Sequence, residues 1–274
     1  MDCAIVVPAY KKADSLLISE VMSLENTGKM FANRDIFLLC PESFSNKSVD
    51  AYEKIATHKI KALKMPDEYF TSTKQYSQML LKDSVYNALV AKYEYMLVCQ
   101  TDCWTLSDDL DTWCEKQYDY VGAPIFSPNA LWVDHSHRHN GYMPQVGNGG
   151  YSIRKIETFI DMTRDGSDLK EFINGNTSDV EYEDKWFCND IEMHYDLVRP
   201  SWREAMHFAI DMNPEIAYKV CGEDTSWLPM GMHAWPKNIR FWKDKIKEIA
   251  SREDVVDECE DRYKEFFKLY YSQT

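Results

Sequence analysis

The chain has 274 residues, enough for one sizeable α/β unit or two small ones, and with 45% hydrophobic and 14% aromatic residues it is not a disordered chain. A formal net charge of −14 excludes a general nucleic-acid-binding surface, because phosphates would be repelled overall. No apolar run approaches the ~20 residues of a membrane span, and the start MDCAIVVPAY lacks the features of a secretory signal, so a cytoplasmic protein is expected.

From the N-terminus, CAIVVPAY is a β-branched run that reads as a buried strand from Ala4 to Val7, stopping in a loop at Pro8. Asp14 is placed to cap the following helix, on which Leu17, Val21 and Leu24 share a face. DIFLLCPES repeats the pattern, with a continuous apolar strand from Ile36 to Cys40 ending at Pro41. Neither strand alternates, so both faces are expected to be covered, as in parallel sheets flanked by helices. Tyr76, Met79, Leu80, Tyr86, Leu89 and Val90 mark an amphipathic helix, and YMLVC at 95–99 is the next buried strand. The stretch VCQTDCW therefore lies at the C-terminal end of a parallel strand, where open α/β sheets bind ligands.

From Gly122 the chain turns loop-rich, then a helix is predicted from about Arg154, a polar loop NGNTSDVEYED, and helical segments to the end. There is no internal repeat and no Gly/Ser linker, which predicts one domain over 1–274. Near the end Ile239, Trp242, Ile246 and Ile249 form one stripe beside Lys237, Arg240, Lys243, Lys245 and Lys247. A packed terminal helix is the expectation; weak membrane-surface association through 237–252, at the inner face, is the alternative. The eight cysteines, Cys3, Cys40, Cys99, Cys103, Cys114, Cys188, Cys221 and Cys259, contain no CxxC pair and read as reduced thiols packed as small hydrophobes.

Five stretches carry possible chemistry. Asp102 can hold a divalent cation against a diphosphate, or cap the next turn with help from Thr101. VGNGGYSIR at 146–154 has three glycines in four positions, suited to close backbone approach or to a plain turn, and it is neither a Walker A loop nor GxGxxG. EDKWFC pairs Glu183 with Asp184, which serve a helix start or supply a general base. His233, in PMGMHAW, is a core histidine or a metal ligand. His135, His137 and His139 alternate in DHSHRH, a spacing for a mobile polar loop rather than for a zinc site.

Taken in order, VVPAYKKAD, CPESF, QTDCW, YDYVGAPIF, VGNGGYSIR, EDKWFC and GMHAW, over roughly 4–235, resemble a family of mostly microbial glycosyltransferase-like domains related to the GT-A fold. The resemblance implies an α/β, Rossmann-type, mostly parallel central sheet flanked by helices. It implies a nucleotide-binding half over 1–120, a loop-rich acceptor and catalytic half over 121–236, and C-terminal helices over 237–274. The implied activity is transfer of a sugar from a nucleotide-sugar donor to a hydroxyl of a glycan or glycolipid acceptor.

In that family the donor diphosphate is held through Mn2+ or Mg2+ by an Asp-x-Asp motif. Gln100 takes the first acidic position here and Asp102 the second, so one charge is lost and metal dependence is weakened. His233 would be a second metal ligand. By likeness to the Glu-Asp pair of inverting members, Asp184 would be the general base and Glu183 would orient the acceptor. Asn148, Gly149 and Gly150 would line the donor sugar and diphosphate. Pro8, Ala9 and Tyr10 would cradle the nucleobase with Lys11 or Lys12 near phosphate, Glu42 would accept from base or ribose, and Gln100 and Thr101 would flank the donor. The alternatives are a noncatalytic nucleotide-sugar or glycan-binding module on the same fold, and a metal-dependent hydrolase built on Asp102 and the histidine loop.

Overall fold

The structure, a computed structural model, describes residues 2–126, 145–164, 182–190, 195–221 and 226–264. The apolar runs form strands β1 (Cys3–Pro8), β2 (Ile36–Pro41) and β4 (Tyr95–Cys99), with β3 (Ile60–Met65) between the last two in sequence. Later in the chain come β6 (Tyr120–Gly122) and β9 (Tyr151–Lys155), and between these a two-stranded ribbon pairs β7 (Pro124–Ile125) with β8 (Gln145–Val146). The central sheet has the order β3-β2-β1-β4-β9-β6. β1 to β4 run parallel, β9 runs antiparallel to β4, and β6 antiparallel to β9. β3 escapes a sequence reading because Lys61 and Lys64 break its apolar residues with no regular alternation, which an edge strand tolerates.

The helix expected from about Arg154 is present and begins at Ile156; Arg154 itself is a strand residue in β9, because the apolar positions Tyr151 and Ile153 continue the sheet interior. After α1 (Ile18–Met30) and α2 (Asn46–Ala56), the helix expected over 76–90 is two short pieces, α3 (Thr73–Leu80) and α4 (Ser84–Asn87). Asp14 does not cap α1; it sits in a short 3-10 turn, and the Glu20 carboxylate takes the Leu17 N–H at 2.7 Å instead.

A second, small sheet stands beside the first: β10 (Ala209–Ile210), β11 (Gly231–Met232) and β5 (Trp104–Thr105), in the order β10-β11-β5. The side chain of Asn26, on α1, acts on β5 as another strand would: its amide donates to the Thr105 carbonyl at 3.0 Å and accepts the Thr105 N–H at 2.8 Å. Both residues are buried, so losing either bond would strand a polar group at a cost of about 1–3 kcal/mol. Ile239, Trp242, Ile246 and Ile249 are buried with Trp104, Met232 and Trp235, so the terminal stripe faces the interior and not a lipid surface. No described helix is long and apolar enough to cross a membrane. The eight cysteines are buried thiols, joined by no disulfide.

Candidate functional site

The small sheet explains how distant residues meet. Met232 in β11 pairs with Trp104 in β5, antiparallel, and with Ile210 in β10, parallel. One step beyond these pairs, the chain delivers His233 beside Asp102 and Cys103 on one flank and beside Asp211 on the other. The His233 N–H is fixed to the Ile210 carbonyl at 3.0 Å. On the other side β4 pairs with β9, Cys99 facing Tyr151, and the Gln100 N–H donates to the Gly150 carbonyl at 3.0 Å.

His233 is the hub. Its Nδ1–H donates to Asp211 Oδ1 at 2.8 Å, which directs Nε2 at Asp102 Oδ1 (3.3 Å) and Gln100 Oε1 (3.2 Å). Three electron-pair donors thus meet at one point, an arrangement that requires positive charge between them. Without a cation a proton on Nε2 supplies it. Burial opposes a charged imidazole, but Asp102 and Asp211 outweigh it and push His233 up to about 10. Burial likewise opposes ionisation of Asp102, yet His233 and then Lys237 hold its carboxyl below the usual range.

The same atoms fit a hard divalent cation. Octahedral bonds of about 2.1 Å place neighbouring ligand atoms about 3 Å apart, close to the separations found, and carboxylate, amide carbonyl and imidazole suit Mn2+ or Mg2+. Asp211 then holds the histidine as a carboxylate does behind many metal-bound imidazoles. Cys103 lies in the same group. Burial pushes its thiol up and it donates to the Gly150 carbonyl at 3.2 Å, so it is not presented as a thiolate.

Gly149 and Gly150 answer to crowding, not to positive φ. A Cβ on Gly150 would lie 2.3 Å from His233 Nε2, and one on Gly149 2.9 Å from Glu183 Oε1 and 3.0 Å from Asp184 Cβ. Asn148 locks this turn: its Oδ1 accepts the Gly150 N–H at 2.9 Å, and its Nδ2 donates to Asp211 Oδ2 at 3.2 Å.

The acid pair opens a short helix, Glu183–Lys185, and its two members differ in surroundings. Glu183 is buried: Oε1 pairs with Arg154 Nη2 at 2.9 Å and Oε2 accepts from Ser77 Oγ at 2.9 Å. Arg154 is itself fully buried and also donates to Ser152 Oγ and the Tyr86 hydroxyl, each at 3.2 Å. Asp184 is partly exposed and accepts the Gly149 and Lys185 N–H groups, each at 2.8 Å. Burial first, then the adjacent Glu183 charge, push Asp184 up to about 7 against those N–H groups and Arg154. It is a carboxylate able to take or hold a proton near neutrality.

Of the other predicted positions, Pro8 and Ala9 are buried where β1 ends, and Tyr10 is 40% exposed, its hydroxyl accepting from Gln100 Nε2 at 3.3 Å. Glu42 is exposed at the end of β2. Thr101 Oγ1 donates to Glu20 at 3.4 Å, and Lys11 pairs with Glu20 at 2.6 Å, which ties that lysine to α1. His135, His137 and His139 lie outside the described residues. Asp211 is absent from the sequence-based candidates, although it follows the apolar Phe208–Ile210 as Asp102 follows Val98 and Cys99.

The sequence profile of the family described as a protein of unknown function (DUF5672) matches residues 59–233, more than half of the chain, and the chain belongs to that family. No curated protein matches it in sequence. Among solved structures it is similar to galactosyltransferase LgtC in complex with donor and acceptor sugar analogs, at 9% identity and TM-score 0.52 over 85% of this chain and 86% of that one. Mouse xyloside xylosyltransferase 1, apo form, matches at 8% identity and TM-score 0.51 over 85% and 96%. Core-mannan synthase A from Aspergillus fumigatus, Mn/GDP form, matches at 12% identity and TM-score 0.45 over 69% of this chain and 66% of that one, just under two thirds of the relative's length. The fold is GT-A-like: an α/β, mostly parallel sheet flanked by helices.

Proposed function

We propose that this member of the DUF5672 family is a glycosyltransferase acting over 1–274 as one unit, moving a sugar from a nucleoside-diphosphate sugar to a hydroxyl of a glycan or glycolipid acceptor. The observation that carries the reading is one turn serving two centres. Gly150 abuts His233, in the Asp102, Gln100 and His233 cluster, while the Gly149 N–H holds Asp184. A charge-compensating centre and a proton acceptor are thereby set about one residue apart at the C-terminal edge of the parallel strands, where such sheets bind ligands. A module that only bound sugar would not need a carboxyl poised near neutrality, and the fold is similar to that of a galactosyltransferase crystallised with sugar analogs.

Asp102 and His233, with the Gln100 carbonyl, would hold Mn2+ or Mg2+, and Asp211 would keep Nε2 turned toward it. When bound, the cation offsets the negative charge that grows on the departing nucleoside diphosphate. Asp184 takes the acceptor hydroxyl proton as that oxygen attacks the anomeric carbon, a role worth about 10²–10⁴-fold in rate. Glu183, with both oxygens engaged, positions Asp184 and the turn rather than the acceptor. Single displacement inverts the anomeric centre.

The test is a panel of nucleotide sugars with and without Mn2+. A binder present at about 100 times its Kd stabilises the fold by about 2.7 kcal/mol, readily visible as a thermal shift. Product anomers are then read by NMR. No shift with any nucleotide sugar overturns the function, and a retained anomer overturns single displacement.

A further inference from the structure

Tyr76, on α3, is 3% exposed, and its buried hydroxyl completes no hydrogen bond. Such a hydroxyl has surrendered its bonds to water and received nothing in return, whereas a phenylalanine would fill the same space without loss. Its surroundings say what the group is for. The ring meets Tyr10 edge-on, centroids 5.2 Å apart at 72°, and the Tyr10 hydroxyl is bonded to Gln100, whose carbonyl faces His233. The next residue, Ser77, donates to Glu183. Glu183 and Arg154 act on the phenol through their charges, and the Tyr10 hydroxyl and the Gln100 amide lie within weak hydrogen-bonding reach of it without completing a well-formed bond. Tyr76 therefore sits between the cation-binding cluster and the acid pair.

Four other buried side-chain atoms lack partners among the described residues, those of Tyr95, Trp104, Trp227 and Trp242. Tyr95 lies inside the central-sheet core, Trp104 and Trp242 in the cluster under the small sheet, and Trp227 against Tyr218 and His207. Burial and the Glu183 charge both push the Tyr76 phenol up, so it stays a protonated donor across the working range of pH. A donor that completes no well-formed internal hydrogen bond, set between the His233 cluster and the acid pair, matches an oxygen-rich, anionic ligand.

We infer that the Tyr76 hydroxyl is a ligand-binding group of the transferase proposed above, donating a hydrogen bond to an oxygen of the sugar-diphosphate portion of the nucleotide sugar. Tyr76→Phe removes that oxygen and nothing else. In urea unfolding without ligand the variant is expected to be as stable as the parent or more so. Titrated with the best-binding member of a panel of UDP- and GDP-sugars in the presence of Mn2+, it should show a Kd about tenfold weaker, which is about 1.4 kcal/mol. The matching nucleoside diphosphate forms the second arm: an equal loss assigns the bond to a phosphate oxygen, and an unchanged Kd assigns it to a sugar hydroxyl.

A lower unfolding midpoint for the unliganded variant would mean that the hydroxyl has an internal partner, and would overturn the inference. So would an unchanged Kd in both arms. If the parent protein itself binds no member of the panel, the transferase reading falls and this inference with it. Parent binding with an unaffected Tyr76→Phe variant sinks this inference alone.

Discussion

Replacing Asp184 by Asn separates its electrostatic burden from its chemistry. The native carboxyl titrates at about 7 because burial and Glu183 disfavour its charge, whereas the unfolded chain ionises it near ~3.9. A folded-state value raised in this way means that native stability is greatest below the unfolded value and declines as pH rises from about 4 to about 7. Three units correspond to about 4 kcal/mol, and partial exposure reduces this to on the order of 3 kcal/mol. Asn never ionises, so it escapes that penalty, but it keeps only one acceptor for the Gly149 and Lys185 N–H groups, a loss of about 1 kcal/mol. The stabilities of parent and variant should therefore cross: Asp184→Asn is the weaker protein near pH ~4 and the stronger near pH ~8, the difference climbing by on the order of 3 kcal/mol. Urea unfolding at several pH values measures it. A difference flat in pH would refute the account of Asp184. With an identified donor, parent turnover should fall about tenfold from plateau near pH ~6, while the variant loses about 10²–10⁴-fold and keeps no such limb.

Two further perturbations address the hub and the acid pair. Asp211→Asn leaves an acceptor for His233 but removes the charge, and should weaken Mn2+ binding about 10–100-fold in calorimetry; an unchanged titration would reduce Asp211 to packing. Arg154→Met leaves Glu183 buried without its counter-ion, which should cost about 3–5 kcal/mol in denaturant unfolding. A loss below about 1 kcal/mol would show that the pair is not the anchor of the Glu183–Lys185 helix.

Much of this site is legible in the sequence because its residues interrupt apolar runs. Asp102 stands just beyond the buried Tyr95–Cys99 strand, and His233 beside Met232 and Trp235, where a polar group needs a reason. Asp211 carries the same mark, but over only two strand residues, too short for periodicity to register. Arg154 defeats the local reading because a charged residue inside an apolar stretch looks like a helix start. Only pairing of β9 with β4 and β6 reveals it as an interior cation. The glycines are legible as close-approach residues, yet what approaches them, His233 and the acid pair, depends on tertiary register. Gln100 reads as a lost charge, and the structure places its amide oxygen 3.2 Å from His233 Nε2.

The hub also has a temporal consequence. Gln100 and His233 are 133 residues apart in the chain, and closing a loop of that length costs roughly 4 kcal/mol in chain entropy. The seam between β5 and β11 must be sewn before the three facing groups exist as a site, so a nascent chain still short of His233 has no such centre. A ligand that bridges the seam would then act as a clasp on the whole molecule, and resistance of the native protein to proteolysis would rise with occupancy far from the site itself.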